Sequence, residues 1–117
     1  MNHLALAVSD QDRSRRFYER YLGFDPEPTP REDGVLMLHD TAGFALALGE
    51  TAEPIALPAF LHFGIGLATP EEVRAFRERL EADGVEIVGA WDEADYVSVK
   101  FLDPDRYVVE VSWEPKT

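Results

Sequence analysis

Two segments of the chain alternate large apolar residues with small or polar ones, and each begins with a histidine. They read HLALAV from His3 and HFGIGL from His62. Because successive side chains of a β-strand point to opposite faces, this alternation predicts one strand in each segment. One face of each strand is then large and apolar. The other face carries the histidine and residues no larger than alanine.

A helical pattern follows each predicted strand. After the first strand, residues of one helix face recur at helical spacing, at Ser14, Phe17, Tyr18, Tyr21 and Leu22. Ser9 or Asp10 is placed to cap the start of this helix, and Thr69-Pro70-Glu71-Glu72 gives the second helix a capping threonine and a proline in its first turn. Gly23 and Gly84 are expected where the two helices end.

The two halves of the chain are copies of one module. His3 and His62 are separated by 59 residues, and so are Phe17 and Phe76 within the helical patterns. Further apolar runs predict the remaining strands, namely GVLMLHD, GFALALGE, a short piece at residues 86–88, DYVSVKFLD and RYVVEVSW. We therefore expect a single α+β domain of two βαβββ modules, residues 1–50 and 60–117, joined by a linker at residues 51–59.

The strand faces that carry mainly small residues suggest a cavity. Alanine, glycine, the two histidines and Glu110 share this face on four predicted strands, whereas a close-packed core would fill it with larger side chains. We interpret it as the lining of a ligand cavity around which the mixed sheets curve. The alternative is that small residues let another backbone or subunit approach closely.

His3, His62 and Glu110 are the candidate metal ligands. The histidines occupy equivalent first-strand positions, and Glu110 lies on the matching face of the last strand, where an unpaired buried carboxylate would be costly. Two imidazoles and one carboxylate suit Fe, Zn, Ni or Mn and leave coordination positions open. Glu110 could instead form an ion pair with Lys100 or Arg106. The chain has no cysteine, so thiolate chemistry is excluded.

Charge narrows the range of partners. The chain has 11 basic and 23 acidic residues and a net charge of -12, which disfavours nucleic acid and membrane surfaces and would attract a small cation. The N-terminal apolar run is very short, and no segment is long and apolar enough to cross a bilayer. A cytoplasmic protein that acts on a small molecule is expected.

The chain resembles the vicinal oxygen chelate superfamily in three features: the histidine strands, the run D-Q-D-R-S-R-R-F-Y-E-R-Y-L-G-F from Asp10, and the run D-P-D-R-Y-V-V-E from Asp103. This superfamily contains glyoxalases, bleomycin-resistance proteins, fosfomycin-resistance enzymes and extradiol dioxygenases. The resemblance covers nearly the whole chain. It implies paired βαβββ modules, commonly in a homodimer, with metal ligands on the first and last strands of each module. Those positions are His3, His62, Glu110 and Ala47.

Alanine cannot bind metal, so the chain departs from the four-ligand pattern of glyoxalase I, and Ala47 is assigned to the substrate side of the cavity. The remaining set resembles the two-His-one-carboxylate site of extradiol dioxygenases. Arg106 and Tyr107 stand where many relatives have glycine and asparagine.

Two functions follow as hypotheses. The first is a metal-dependent enzyme, a dioxygenase, lyase or isomerase, acting on a small oxygen-chelating substrate. Candidate catalytic groups are His39, Tyr96 and Lys100, and Ser98 and Trp91 are candidate substrate contacts. The second is a metal-independent protein that binds a cationic antibiotic, with Trp91 stacking on a planar cation.

Overall fold

The computed structural model describes residues 1–116, and its contacts cluster in two units. The first unit comprises residues 1–56, and the second begins at Leu57. Each unit contains one helix and one mixed sheet of four strands.

The first module has the predicted order of strand, helix and three strands. Its elements are β1 (His3–Val8), α1 (Gln11–Leu22), β2 (Thr29–Pro30), β3 (Leu36–His39) and β4 (Ala45–Glu50). Along the sheet the order is β1-β4-β3-β2, with β1 parallel to β4 and the other pairs antiparallel.

The second module repeats this topology. Its elements are β5 (His62–Gly66), α2 (Pro70–Ala82), β6 (Ile87–Glu93), β7 (Tyr96–Leu102) and β8 (Val108–Trp113). The sheet order is β5-β8-β7-β6, again with one parallel pair, β5 and β8. The predicted α+β fold of two βαβββ modules is confirmed.

The helix boundaries follow the predicted capping residues. The Asp10 side chain accepts the backbone N–H of Arg13, and the Thr69 side chain accepts that of Glu72. Gly23 has a φ of 73°, a left-handed conformation that glycine adopts without steric cost and that lets the chain leave α1.

Strand parity was predicted correctly on the core side of the sheets. Large apolar residues are buried there, and each helix covers its own sheet with a few buried side chains. In the first module the strand residues Leu6, Val8, Leu46 and Leu48 lie with Ser14, Tyr18 and Tyr21 of α1. In the second module the strand residues Val99, Phe101, Val109 and Val111 lie with Val73 and Leu80 of α2. On the opposite face His3, Ala5 and Ala7 are exposed.

Strand β6 is longer than the sequence predicted. We expected a short piece at residues 86–88, but the strand continues to Glu93 after a register shift between Ile87 and Gly89. Its glycine and acidic residues are poor strand formers, and they occur here because β6 is an edge strand that faces solvent. This extension places Trp91 opposite Ser98, on the face that carries Glu110.

The turn from β7 to β8 depends on a buried carboxylate. Asp103 is 4% exposed, and its Oδ1 accepts the backbone N–H groups of Asp105 and Tyr107, both at 2.9 Å. Arg106 between them has a φ of 71°. The position therefore requires left-handed backbone, which glycine adopts more readily than arginine.

Neither α1 nor α2, nor any other helical segment among residues 1–116, is long and apolar enough to cross a membrane.

Candidate functional site

Glu110 is the centre of a polar cluster on the second sheet. It lies in β8, and its side chain is 15% exposed. In the antiparallel register of β7 and β8, Lys100 is directly opposite Glu110 and Ser98 is opposite Ser112, so Tyr96, Ser98 and Lys100 share the face of Glu110. The hydroxyls of Tyr96 and Ser98 both donate hydrogen bonds to Oε2 of Glu110.

These contacts determine the charge state of the carboxyl. Burial raises the pKa of Glu110, but the hydrogen bonds from Ser98 and Tyr96, with the positive charge of Lys100, outweigh burial and lower the pKa below its usual value. The pKa of Tyr96 is raised, first by burial and then by its hydrogen bond to Glu110. Glu110 is therefore an anion held by two neutral hydroxyls.

His62 faces the other oxygen of this carboxylate. Its Nε2 is 3.5 Å from Oε1 of Glu110, and its Nδ1 is 2.9 Å from the backbone carbonyl oxygen of Phe60. A carbonyl oxygen can only accept, so Nδ1 carries the proton and donates it there. In the neutral imidazole Nε2 then presents its lone pair toward a carboxylate oxygen. Two acceptors face each other, and a cation or a further proton must separate them.

This donor set fits a divalent metal. Imidazole and carboxylate ligands bind such ions at about 2.0–2.2 Å, which places two ligand atoms of one ion about 3.0–3.5 Å apart at ordinary coordination angles. The separation of 3.5 Å between His62 and Glu110 agrees with that range. Ligand histidines usually donate their second ring N–H to a carbonyl or carboxylate oxygen, as His62 does to Phe60.

His3, the third predicted ligand, belongs to the first module. Its exposed ring has the same hydrogen-bond pattern as His62, because Nδ1 is 2.6 Å from Oδ1 of Asn2 and Nε2 is left for another partner. Among residues 1–116 no group of three or more His, Asp or Glu side chains is arranged to hold a metal ion. The structure thus brings together two of the three predicted ligands.

The alternative ion pairs of Glu110 are not formed. Arg106 lies 3.9 Å from Glu86, and the ammonium group of Lys100 lies over two aromatic rings, 5.2 Å from the centroid of Trp91 and 5.7 Å from that of Phe60. The ring of Phe60 also meets the imidazole of His62 edge to face, with centroids 5.2 Å apart.

Phe60 is a neighbour of the site that the sequence did not indicate. It is 88% exposed and has a φ of 71°, in the short segment just before β5. No sequence signal marks a phenylalanine for left-handed backbone, since that conformation is unfavourable for its side chain. Its carbonyl oxygen nevertheless orients His62.

His39 and Ala47 lie in the first module. His39 ends β3 and is exposed, and Ala47 lies in β4 opposite Ala5 and Met37. The pair Ala5 and Ala47 corresponds in register to Gly64 and Glu110 in the second module, so Ala47 occupies the position equivalent to the carboxylate.

The two glycines on the small-residue face of β5 differ in whether their position has room for a side chain. A Cβ on Gly64 would lie 1.8 Å from the backbone oxygen of Glu110, so glycine is required there by the close approach of a neighbouring strand. A Cβ on Gly66 would make only an ordinary contact, at 3.9 Å. At Gly64 the alternative interpretation of the small residues, close backbone approach, is the correct one.

Comparison with solved structures shows the same fold. A possible glyoxalase from Bacillus cereus is 27% identical, with a TM-score of 0.79 over 95% of this chain and 96% of that chain. The fosfomycin resistance protein FosX from Listeria monocytogenes is 20% identical, with a TM-score of 0.80 over 98% of this chain and 93% of that chain. An integron cassette protein from the Halifax Harbour sewage outfall metagenome is 22% identical, with a TM-score of 0.78 over 97% of each chain.

The family model of the Glyoxalase/Bleomycin resistance protein/Dioxygenase superfamily matches residues 1–111. That match includes both modules and ends just after Glu110 in β8. The chain therefore belongs to this superfamily, as the resemblance of its motifs to vicinal oxygen chelate proteins predicted.

Proposed function

We propose that the protein is a metal-dependent enzyme that acts on a small substrate with two neighbouring oxygen atoms. The observation that carries the proposal is the approach of Nε2 of His62 to Oε1 of Glu110 at 3.5 Å, where both atoms are acceptors when the imidazole is neutral. A divalent cation would satisfy both atoms, and the carbonyl oxygen of Phe60 supports the required histidine tautomer.

His62 and Glu110 would hold the ion, with His3 as the third ligand from the same chain or from a second copy in a homodimer. Iron, zinc, nickel and manganese all accept this ligand set, and the structure of FosX from Listeria monocytogenes has been solved in complex with Mn(II). A bound divalent metal supplies Lewis-acid polarisation of the chelated substrate oxygens, and iron would add reactivity toward molecular oxygen.

The chain's own residues would position the reactants. The hydroxyls of Ser98 and Tyr96 fix one carboxylate oxygen of Glu110, so that the other is directed toward His62. Tyr96 and Ser98 thereby act as positioning residues in this proposal. His39 remains a candidate for proton transfer from the first module.

A metal-free protein that binds a cationic drug is the second candidate. The net charge of -12 and the exposed ring of Trp91 favour it. Against it, the ring of Trp91 already lies beside the ammonium group of Lys100, which would repel a second cation.

Metal content separates the two candidates. The untagged protein should take up divalent metal, measured by mass spectrometry after dialysis against Zn(II), Ni(II), Fe(II) or Mn(II). His62→Ala and Glu110→Gln should lose most of this uptake. His39→Ala is the matched control, because it removes an exposed histidine from the first module, and it should bind metal as the wild type does.

A wild-type protein that takes up none of these metals would overturn the enzyme proposal. If metal is bound, oxygen uptake by the iron-loaded protein with catechols tests the dioxygenase branch. Loss of substrate without oxygen uptake would indicate an isomerase or lyase.

A further inference from the structure

Lys100 is a cation in an acidic chain, and its ammonium group lies over two aromatic rings, while the charge of Glu110 acts on it from the opposite position in β8. It is one of two lysines in the sequence, and within the described part of the chain it forms no ion pair. Two arginines of the same module, Arg74 and Arg106, are each next to a carboxylate. Its three N–H donors therefore have no acceptor among the contacts of its ammonium group.

Two exposed aromatic rings hold this ammonium group in place. Its Nζ lies 5.2 Å from the centroid of Trp91 and 5.7 Å from that of Phe60. Gly89, opposite Lys100 in the register of β6 and β7, lets the indole lean across the sheet, since a Cβ there would be 3.0 Å from the Trp91 ring. The rings remain 41% and 88% exposed, so flat apolar surface is available beside the cation.

The cation lies next to the candidate metal ligands. Lys100 is directly opposite Glu110 across β7 and β8, and Phe60 touches both Lys100 and His62. A ligand that reaches the metal through vicinal oxygens can therefore place a second group near Lys100. An anion suits that position because the ammonium group forms no direct ion pair within residues 1–116 and lies over the two rings, so it can donate a charge-assisted hydrogen bond.

We propose that Lys100, with Phe60 and Trp91, makes the site select an aromatic carboxylate, whose anionic group binds Lys100 while its ring lies against the two aromatic side chains. This inference rests on the proposed function for the oxygen-chelating part of the substrate. It adds the charge and the shape of the rest of the substrate. Lys100 acts as a specificity-determining residue.

The test uses three catechol probes that differ only in one substituent. They are 3,4-dihydroxybenzoate, 3,4-dihydroxybenzamide and 3,4-dihydroxybenzylamine, which are anionic, neutral and cationic. Binding to the zinc-loaded protein is measured by calorimetry without oxygen. The wild type should bind the carboxylate about tenfold more tightly than the amide, as expected for one charge-assisted contact, and should bind the amine most weakly.

Four variants test whether the preference for the carboxylate depends on Lys100. Lys100→Met should bring the carboxylate and amide to within about twofold, with the amide unchanged, and Lys100→Arg should keep the preference. Arg106→Gln removes one positive charge from a turn outside this cluster and should leave the ratio as it is. Trp91→Leu should weaken all three probes by a similar factor, because it removes ring stacking and keeps the cation.

Equal binding of carboxylate and amide by the wild type, or no binding of either, overturns the proposal. A preference for the carboxylate over the amide that persists in Lys100→Met also overturns the proposal. If the wild type takes up no metal, the proposed function fails, but the same probes with the metal-free protein still decide whether Lys100 selects the anion.

Discussion

Gly64 is the position where the structure makes its sharpest prediction about the site. It lies in β5 directly opposite Glu110, in the parallel pair of β5 and β8. A Cβ added there would be 1.8 Å from the backbone oxygen and 2.7 Å from the backbone carbon of Glu110, where ordinary contacts begin at 3.4 Å. Since both opposing atoms belong to the backbone, no side chain can rotate away, and Gly64→Ala must push the strands apart.

The expected cost combines two effects. A steric clash that forces backbone shifts destabilises by about 1–3 kcal/mol, and each ladder hydrogen bond lost between the separated strands adds about 1 kcal/mol. We expect Gly64→Ala to lower the free energy of unfolding by roughly 3–5 kcal/mol, a large part of the roughly 5–15 kcal/mol of a typical domain. At about 4 °C per kcal/mol, the Tm should fall by roughly 12–20 °C.

Gly66→Ala is the matched control. Gly66 is two residues further along β5, on the same face, and its added Cβ would lie 3.9 Å from the backbone oxygen of Ser112. Replacing a glycine where alanine fits restricts the unfolded chain and stabilises by about 0.4–1 kcal/mol. This variant should melt at or slightly above the wild-type Tm.

Thermal and urea unfolding, followed by circular dichroism, measure both variants, and metal content measures the site. Gly64→Ala should also bind divalent metal more weakly, because the backbone that carries Glu110 moves. The reasoning is refuted if Gly64→Ala unfolds within about 1 kcal/mol of Gly66→Ala, which is less than the cost of the steric clash alone.

Three further predictions concern single side chains. Ser98→Ala should weaken metal binding about tenfold, as removal of a hydrogen-bond partner of a ligand does, and cost only about 1 kcal/mol of stability; unchanged affinity in a metal titration would contradict the positioning role at Glu110. Arg106→Gly should be more stable than Arg106→Ala by about 1 kcal/mol in urea unfolding, because the φ of 71° strains any residue with a Cβ; equal stabilities would refute this. If the metal site is completed across a homodimer, mixing His3→Ala with His62→Ala subunits after unfolding and refolding should restore metal uptake to about a quarter of the sites or more, whereas no recovery indicates ligands from one chain.

The sequence was sufficient to predict the modules and their strand faces. Alternation placed Leu6 and Val109 in the core and Glu110 on the opposite face, and the structure agrees. These predictions succeeded because they depend on the two-residue period of a strand, which the sequence displays directly. The helix starts succeeded for a similar reason, since Asp10 and Thr69 act on a backbone N–H three residues away.

The contacts within the site could not be predicted in the same way. Strand parity is enough to place Ser98 and Lys100 on the face of Glu110, but it cannot show that the Ser98 hydroxyl donates to the carboxylate while Lys100 lies over two rings. Those outcomes depend on the register between strands, and β6 contains a register shift that places Trp91 beside Lys100. The left-handed Phe60, whose carbonyl orients His62, has no pattern in the sequence.

The two modules have the same topology but differ in the residues at equivalent register positions. Equivalent register pairs include charged groups in the second module and only apolar ones in the first: Lys100–Glu110 corresponds to Met37–Ala47, and Gly64–Glu110 corresponds to Ala5–Ala47. Glycine thus occurs opposite the position that has a carboxylate, and alanine opposite the position that has alanine. A Cβ is tolerated at Ala5, whereas at Gly64 it would collide with the backbone of Glu110. A clash of this kind at the strand opposite the carboxylate is therefore found in the second module. Of the three candidate metal ligands, only the histidine at the start of the first strand has an identical counterpart in the other module, which is why we propose His3 as the ligand from the first module.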